Sequence, residues 1–148
     1  MHIDFMNQAL FQAKKAESMG EVPVGAVLVK NNEIISTGHN LVITNNDPTA
    51  HAEIVAIRKA SHLIQNYRIV DSELYITLEP CSMCYSAIIN SRISRIIYGA
   101  HDTKTGACGT CINLSQSKCF NHKPEIIGGV LESECSEILR NFFRQRRL

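Results

Sequence analysis

Residues 73–99, ELYITLEPCSMCYSAIINSRISRIIYG, form the stretch that decides the fold. The run Glu73–Leu78 is followed by Pro80 and a segment to about Asn90, and a second run follows at Arg95–Gly99. Both runs are short and rich in β-branched and aromatic residues, and proline suits the first turn of a helix. The stretch therefore predicts a strand, a helix and a strand in succession, as in an α/β protein.

The alternation of strands and helices extends toward both ends of the chain. Val24–Lys30 and Glu33–His39 read as two strands joined at Asn31-Asn32, which is a hairpin signal. A hairpin in such a chain predicts a mixed sheet in a layered α/β domain. The other predicted elements are a helix from Asp4 to about Met19, a helix from His51 to about Leu63, a strand at Glu125–Val130 and a helix at Glu132–Arg146. The polar segment Leu41–Ala50 reads as a loop, and the long segment His101–Lys123, with its glycines and small residues, is of a kind that is often functional.

Length and composition narrow the class of protein. At 148 residues, 45% of them hydrophobic, the chain is expected to be one globular domain covering residues 1–148. No apolar run is long enough to span a bilayer, and the start lacks the pattern of a signal peptide, so we expect no membrane partner and a cytoplasmic location. In a reducing compartment the six cysteines should be thiols or metal ligands. The net charge of +1 excludes a polycation, but the last nine residues hold four arginines, so any contact with nucleic acid should be local.

Two short motifs carry the chemistry, His51-Ala52-Glu53 and Pro80-Cys81-Ser82-Met83-Cys84. Residues three apart share a helix face, so Cys81 and Cys84 can bind one ion together. Two thiolates and an imidazole favour zinc, and three protein ligands leave a fourth position for water. We therefore predict one Zn²⁺ per chain, held by His51, Cys81 and Cys84.

Glu53 is the predicted acid/base group. It lies about 200° around an ideal helix from His51, so the two side chains would diverge in mid-helix. At a first turn, directly after Pro48-Thr49, both can face one pocket. A carboxylate beside the metal site that does not bind the metal suits a general base. His-x-Glu upstream of Pro-Cys-x-x-Cys is the joint signature of zinc deaminases acting on nucleobases.

The remaining cysteines leave alternatives open. Cys108 and Cys111 form a second Cys-x-x-Cys, which together with Cys119 could make a second zinc site; otherwise these are small, partly buried thiols. Cys135 falls within the last helix and reads as core.

Beyond these motifs the chain resembles the bacterial tRNA-specific adenosine deaminases of the TadA type, in the cytidine-deaminase-like superfamily. The resemblance runs from about Asp4 to Arg147. The zinc motif alone indicates only the superfamily, and the other matching stretches point to the tRNA enzymes. Those stretches are EVPVGAV at residues 21–27, DPTAHAEI at 47–54, QNYR at 65–68, TLEPCSMC at 77–84, GAHDTKTGA at 99–107 and FFR at 142–144.

The resemblance implies a three-layer α/β/α sandwich around a five-stranded mixed sheet, and a homodimer. It implies hydrolysis of the wobble adenosine to inosine in a tRNA anticodon stem-loop, chiefly that of an arginine tRNA. It also implies substrate-binding roles. Asn40 would contact the purine and Ala52 would line its pocket, Asp102 and Lys104 would meet flanking nucleotides, and Phe143 and Arg146 would meet the RNA beyond.

Two features depart from the family pattern. Tyr85-Ser86 stands where many members have Ala-Gly, which bears on the packing of the predicted helix that carries Cys84 and on the nearby dimer contact. His101 stands where several members have arginine, which would weaken one basic contact.

Other interpretations of these features remain open from the residues alone. The arginines of the tail could bind phosphates, or could merely complement the dipole at the end of a helix. The same four site residues could serve a deaminase of a free base or nucleotide, such as cytosine, guanine or deoxycytidylate. A non-enzymatic zinc module that binds RNA is the interpretation from another class, and it would need a fourth protein ligand.

Overall fold

The computed structural model describes residues 1–146. Its strands and helices occur in the order that the sequence predicts. They are α1 (His2–Ser18), β1 (Gly25–Lys30), β2 (Glu33–His39), α2 (Ala52–Ile64), β3 (Ser72–Leu78), α3 (Ser82–Asn90), β4 (Arg95–Ala100), β5 (Glu125–Ile127) and α4 (Glu132–Arg146), with a single 3₁₀ turn at Leu114–Gln116. None of these helices is both long and apolar enough to cross a membrane.

The strands form one five-stranded sheet in the order β2-β1-β3-β4-β5. β1 is antiparallel to both of its neighbours, whereas β3, β4 and β5 are parallel. Asn31 and Asn32 both adopt positive φ, at 54° and 61°, as a tight hairpin turn between β1 and β2 requires. The hairpin and the mixed sheet are therefore confirmed.

Helices cover both faces of the sheet. Along β1, Ala26 and Leu28 point into a core shared with α2 and α3, while Val27 and Val29 point into a core shared with α1 and α4. Successive side chains of a strand point to opposite faces, so a strand that is apolar throughout needs a cover on each side. The result is the three-layer α/β/α sandwich.

The ends of several elements differ from the sequence prediction, most clearly in α1, α3 and β5. Pro80 does not open the third helix, because it precedes the N-cap Cys81 and α3 begins at Ser82. α1 begins at His2 with Met1 as its N-cap, so Asp4 lies in the first turn and does not cap the helix. There its negative charge still complements the helix dipole. β5 ends at Ile127, three residues before the predicted Val130.

The departure at Tyr85 is accommodated inside the core. Its side chain is fully buried, and its ring meets that of Phe120 edge to face, with centroids 5.5 Å apart. Among residues 1–146 its hydroxyl is the buried side-chain polar atom without a hydrogen-bond partner. The segment after β4 thus packs against α3 through an aromatic pair.

We expect Tyr85→Phe to raise the free energy of unfolding by up to about 1 kcal/mol, because it removes a buried polar atom that forms no hydrogen bond. Urea denaturation of both proteins measures the difference. A clear loss of stability would show that the hydroxyl has a partner that this packing does not provide.

Candidate active site

His51, Cys81 and Cys84 come together where two helices begin. His51 is the N-cap of α2 and Cys81 the N-cap of α3, both with extended backbone, and Cys84 lies in the first turn of α3. The Nδ1 atom of His51 is 3.4 Å from the Cys84 Sγ and 3.7 Å from the Cys81 Sγ. The three donor atoms lie within 4.8 Å of one another, which is close enough to hold one metal ion.

The donor set fits zinc. Two thiolates and an imidazole nitrogen are ligands that Zn²⁺ prefers, and a three-ligand site leaves a position open, as catalytic zinc sites do. Within residues 1–146 this is the only group of three or more His, Cys, Asp or Glu side chains with such spacing. The alternative second site is not assembled there, because no group with this spacing includes Cys108, Cys111 or Cys119.

The three side chains of the ligand group alter one another's pKa. Contact with Cys84 lowers the pKa of Cys81 to about 4, and the same contact raises the pKa of Cys84. The contact of His51 with Cys81 raises the pKa of the imidazole. These mutual effects on pKa reflect the close contact of the three side chains.

Glu53 is buried beside this group. Its side chain is 4% exposed, and burial raises its pKa to about 6. His51 and Glu53 line the same cavity because His51 caps the helix and so escapes the helical rotation that would separate them. A carboxyl group with its pKa near neutrality can both accept and donate a proton.

The cavity has a volume of about 190 Å³. It is lined by Asn40, Ala52, Asp102 and Thr105 among others. The Asn40 amide is held from two sides. Its Nδ2 donates to the Val22 carbonyl at 3.5 Å, and its Oδ1 accepts from the Val42 N–H at 3.4 Å.

A groove of about 770 Å³ adjoins this cavity and shares Asp102 and Thr105 with it. It lies between residues 101–110, here called the Asp102 loop, and α4. The residues that line the groove include the basic side chains of Lys104, Arg140 and Arg144 and the rings of His101 and Phe143. Phe142 is buried and Phe143 is 46% exposed, so one of the two adjacent phenylalanines belongs to the core and the other faces the groove.

Two of the predicted RNA-contacting side chains are engaged within the protein. The Asp102 carboxylate accepts hydrogen bonds from the backbone of Lys104 and Thr105 at 3.0 and 3.1 Å, and so shapes its own loop. Arg146 donates to the Gly20 carbonyl at 2.8 Å, with its guanidinium 4.6 Å from the Phe142 ring centroid. Arg147, the other predicted phosphate contact near the end, lies outside the described residues.

Sequence reasoning missed Glu79, Arg140 and Thr105 as parts of this site. Glu79 lines the cavity and is 2% exposed. The sequence does place this acidic residue between a buried strand and the metal motif. Burying an unpaired charge there would be costly, so the position itself indicates that Glu79 has hydrogen-bond partners.

Comparison with known proteins assigns the family. Residues 1–147 match the MafB19-like deaminase family. The tRNA-specific adenosine deaminase of Haemophilus influenzae is 52% identical over 96% of this chain and 83% of its own length. The corresponding Bacillus subtilis enzyme is 48% identical over 97% of this chain and 89% of its own length. The solved structure of a tRNA:A34 deaminase, from a study of A-to-I editing at the wobble position, superposes with a TM-score of 0.90 at 43% identity, over 92% of this chain and 99% of that one. The chain belongs to the bacterial tRNA-specific adenosine deaminases of the cytidine-deaminase-like superfamily.

Proposed function

We propose that the protein hydrolyses the wobble adenosine of a tRNA anticodon, chiefly that of an arginine tRNA, to inosine and ammonia. One observation carries the proposal: a buried carboxyl group, Glu53, shares a cavity of about 190 Å³ with a His/Cys/Cys group suited to one Zn²⁺. The relatives named as tRNA-specific adenosine deaminases support the choice of substrate.

Glu53 is the proton carrier of the proposed reaction. When bound by His51, Cys81 and Cys84, Zn²⁺ supplies Lewis acidity that lowers the pKa of water to about 7. Glu53 accepts a proton from the attacking water and delivers it to N1 of the ring, so that C6 becomes more electrophilic. The oxygen of that water bonds to C6, Glu53 then takes the proton of the new C6 hydroxyl group, and it gives this proton to the amine as the C6–N bond breaks. Water is consumed, ammonia and inosine are formed, and the carboxyl group returns to its starting state.

The target base must leave the stack of the anticodon loop to reach Glu53, which costs less in a loop than in a duplex. In the cavity, Asn40 would form hydrogen bonds to the purine, and Ala52 would line the pocket through its backbone. Both residues face the cavity, and the bonds that hold the Asn40 amide support a fixed orientation.

The groove beside the cavity would receive the flanking nucleotides. Lys104 supplies positive charge, and the exposed ring of Phe143 offers a face on which a base can stack. With the Asp102 side chain bonded to its own loop, Asp102 would act through the position of that loop. The Arg146 guanidinium has about five N–H donors, so its bond to the Gly20 carbonyl leaves others that would contact RNA.

We expect Arg144→Gln to weaken binding of an anticodon stem-loop, because Arg144 lines the groove and bears no carboxylate partner among the described ion pairs. Removing one interaction with a phosphate should flatten the slope of log affinity against log salt by about 0.7 units. Fluorescence anisotropy at several salt concentrations measures the slope. Lys59→Gln, which removes an exposed charge from α2, serves as the control. Equal slopes for wild type and Arg144→Gln would remove this arginine from the RNA site.

The alternative substrate is a free base or nucleotide, such as cytosine, guanine or deoxycytidylate. Ammonia release separates the two proposals when the purified enzyme is given the stem-loop, free adenosine, and each free base in turn. Turnover of the stem-loop alone supports the tRNA substrate. The RNA-binding zinc module without activity is disfavoured by the family assignment and by the absence of a fourth protein ligand in the group that residues 1–146 form.

We further propose that the chain is one catalytic domain, that it works in the cytoplasm and that it forms a homodimer. Leu63 and Tyr67, at and just after the end of α2, are 66% and 69% exposed, which is apolar surface that a second copy can cover. Sedimentation equilibrium gives the mass in solution, and a strictly monomeric protein would contradict the dimer.

A further inference from the structure

We propose that Glu79 is a positioning residue: its buried carboxylate fixes the Asp102 loop against the metal-binding helix and thereby sets the site for the nucleotides beside the target base. The inference rests on the function proposed above. It concerns a residue that binds neither the metal nor the RNA and acts through the loop that it holds.

One carboxylate holds both ends of the Asp102 loop. Oε1 of Glu79 accepts a hydrogen bond from the Asp102 N–H at 3.1 Å. Oε2 accepts from the N–H groups of Cys108 and Thr110 at 2.9 and 3.2 Å. The Glu79 side chain is fully buried, so these backbone donors replace water around the charge.

The same carboxylate lies next to the metal ligands along the chain. Glu79 is separated from Cys81 only by Pro80, whose carbonyl accepts the Ala107 N–H at 2.9 Å. Cys81 and Gly106 also form an isolated β-bridge. The loop is therefore located relative to the metal group by Glu79 at its two ends and by the Pro80 and Cys81 backbone at its middle.

The packing around the carboxylate leaves no space for adjustment. A Cβ atom on Gly106 would lie 2.7 Å from Oε1 of Glu79 and 2.5 Å from the Asp102 carbonyl oxygen. Any side chain at position 106 would therefore push the carboxylate away from the amides that it holds. His101 is a weaker partner, with its Nδ1 3.8 Å from Oε1 and its side chain 42% exposed.

Displacing the loop would alter substrate contacts, because Asp102 and Thr105 line both the catalytic cavity and the groove. The metal ligands and Glu53 lie on α2 and α3 or at their N-caps and are not carried by the loop. Loss of the carboxylate should thus weaken RNA binding more than it slows the chemical step.

Glu79→Gln tests this separation. Glutamine keeps the size of the side chain but has one carbonyl oxygen, and its amide N–H groups would face backbone donors. We expect the Kd for an anticodon stem-loop, and KM with it, to rise on the order of tenfold, as for the loss of one or two charge-assisted hydrogen bonds. At saturating stem-loop, kcat should change by less than about threefold, with zinc content unchanged.

Glu73→Gln is the matched control, since it makes the same chemical change at the start of β3, the strand that ends just before Glu79. It should leave Kd, KM and kcat unaltered. Gly106→Ala is the second variant and should raise KM in the same way. Its methyl group would displace the Glu79 carboxylate while leaving Glu79 itself unchanged.

The values of KM and Kd distinguish a positioning role of Glu79 from a purely stabilising one. A stabilising role alone would lower the melting temperature of Glu79→Gln without changing KM or Kd, and that result would overturn the proposal. So would a loss of zinc, or a loss of kcat at unchanged KM. If wild-type enzyme did not deaminate the stem-loop at all, the proposed function would fail, whereas turnover by wild type with unchanged KM in both variants would refute only the role of Glu79.

Discussion

Glu53→Ala is expected to lower kcat on the anticodon stem-loop by at least about 10²–10⁴-fold, because a positioned acid/base group is worth that much and this one serves several proton transfers. The variant should still fold and bind about one zinc per chain, because Glu53 is not among the predicted metal ligands. Single-turnover deamination together with metal analysis of the same preparation measures both effects.

Two further variants serve as a second test and as a control. Glu53→Gln preserves the size of the side chain but cannot carry the proton, so it should be as inactive as the alanine variant. Glu33→Ala, an exposed change in the β1–β2 hairpin, should be fully active. Loss of the metal from Glu53→Ala would identify Glu53 as a ligand, and the proposed mechanism would then be wrong.

Cys84→Ala is expected to abolish activity by removing the metal. Cys84 contributes one of three donor atoms within 4.8 Å of one another, and a zinc site reduced to two protein ligands should not retain the ion through purification. Wild-type protein should contain about one zinc per chain, and the variant should contain close to none. Atomic absorption on dialysed samples provides the measurement.

Cys111→Ala is the control for that experiment, because Cys111 is exposed and outside the ligand group. It should retain both zinc and activity. Two tightly bound zinc ions per wild-type chain, or loss of zinc from Cys111→Ala, would mean that the second Cys-x-x-Cys motif binds metal.

Local chemistry made much of the fold predictable. Asn31-Asn32 tolerates the positive φ of a hairpin turn, and continuous apolar strands require cover on both faces. The prediction that His51 lies close to the cysteines needed one more assumption, namely that both motifs lie at the starts of helices. The extended backbone of His51 explains why the argument from an ideal helix, which separated it from Glu53, did not apply.

Contacts between distant parts of the chain account for what the sequence did not reveal. The bond from Arg146 to the Gly20 carbonyl joins residues 126 positions apart, so the basic tail gave no sign that one of its arginines is held by the protein. The three backbone donors to Glu79 belong to a loop that begins more than 20 residues later, and no spacing rule connects them to it. β5 ends at Ile127 because Gly128 and Gly129 follow, and Gly129 adopts a φ of 86°, which is outside the extended region.

The position at which inosine forms tests the central claim most directly. An arginine-tRNA anticodon stem-loop with adenosine at the first anticodon position is incubated with zinc-loaded enzyme and then reverse-transcribed, since inosine is read as guanosine. We expect inosine at that position and at no other adenosine, and none when Glu53→Ala replaces the wild-type enzyme. An unchanged stem-loop, in a reaction where the same enzyme releases ammonia from free guanine or cytosine, would contradict the assignment of tRNA as the substrate.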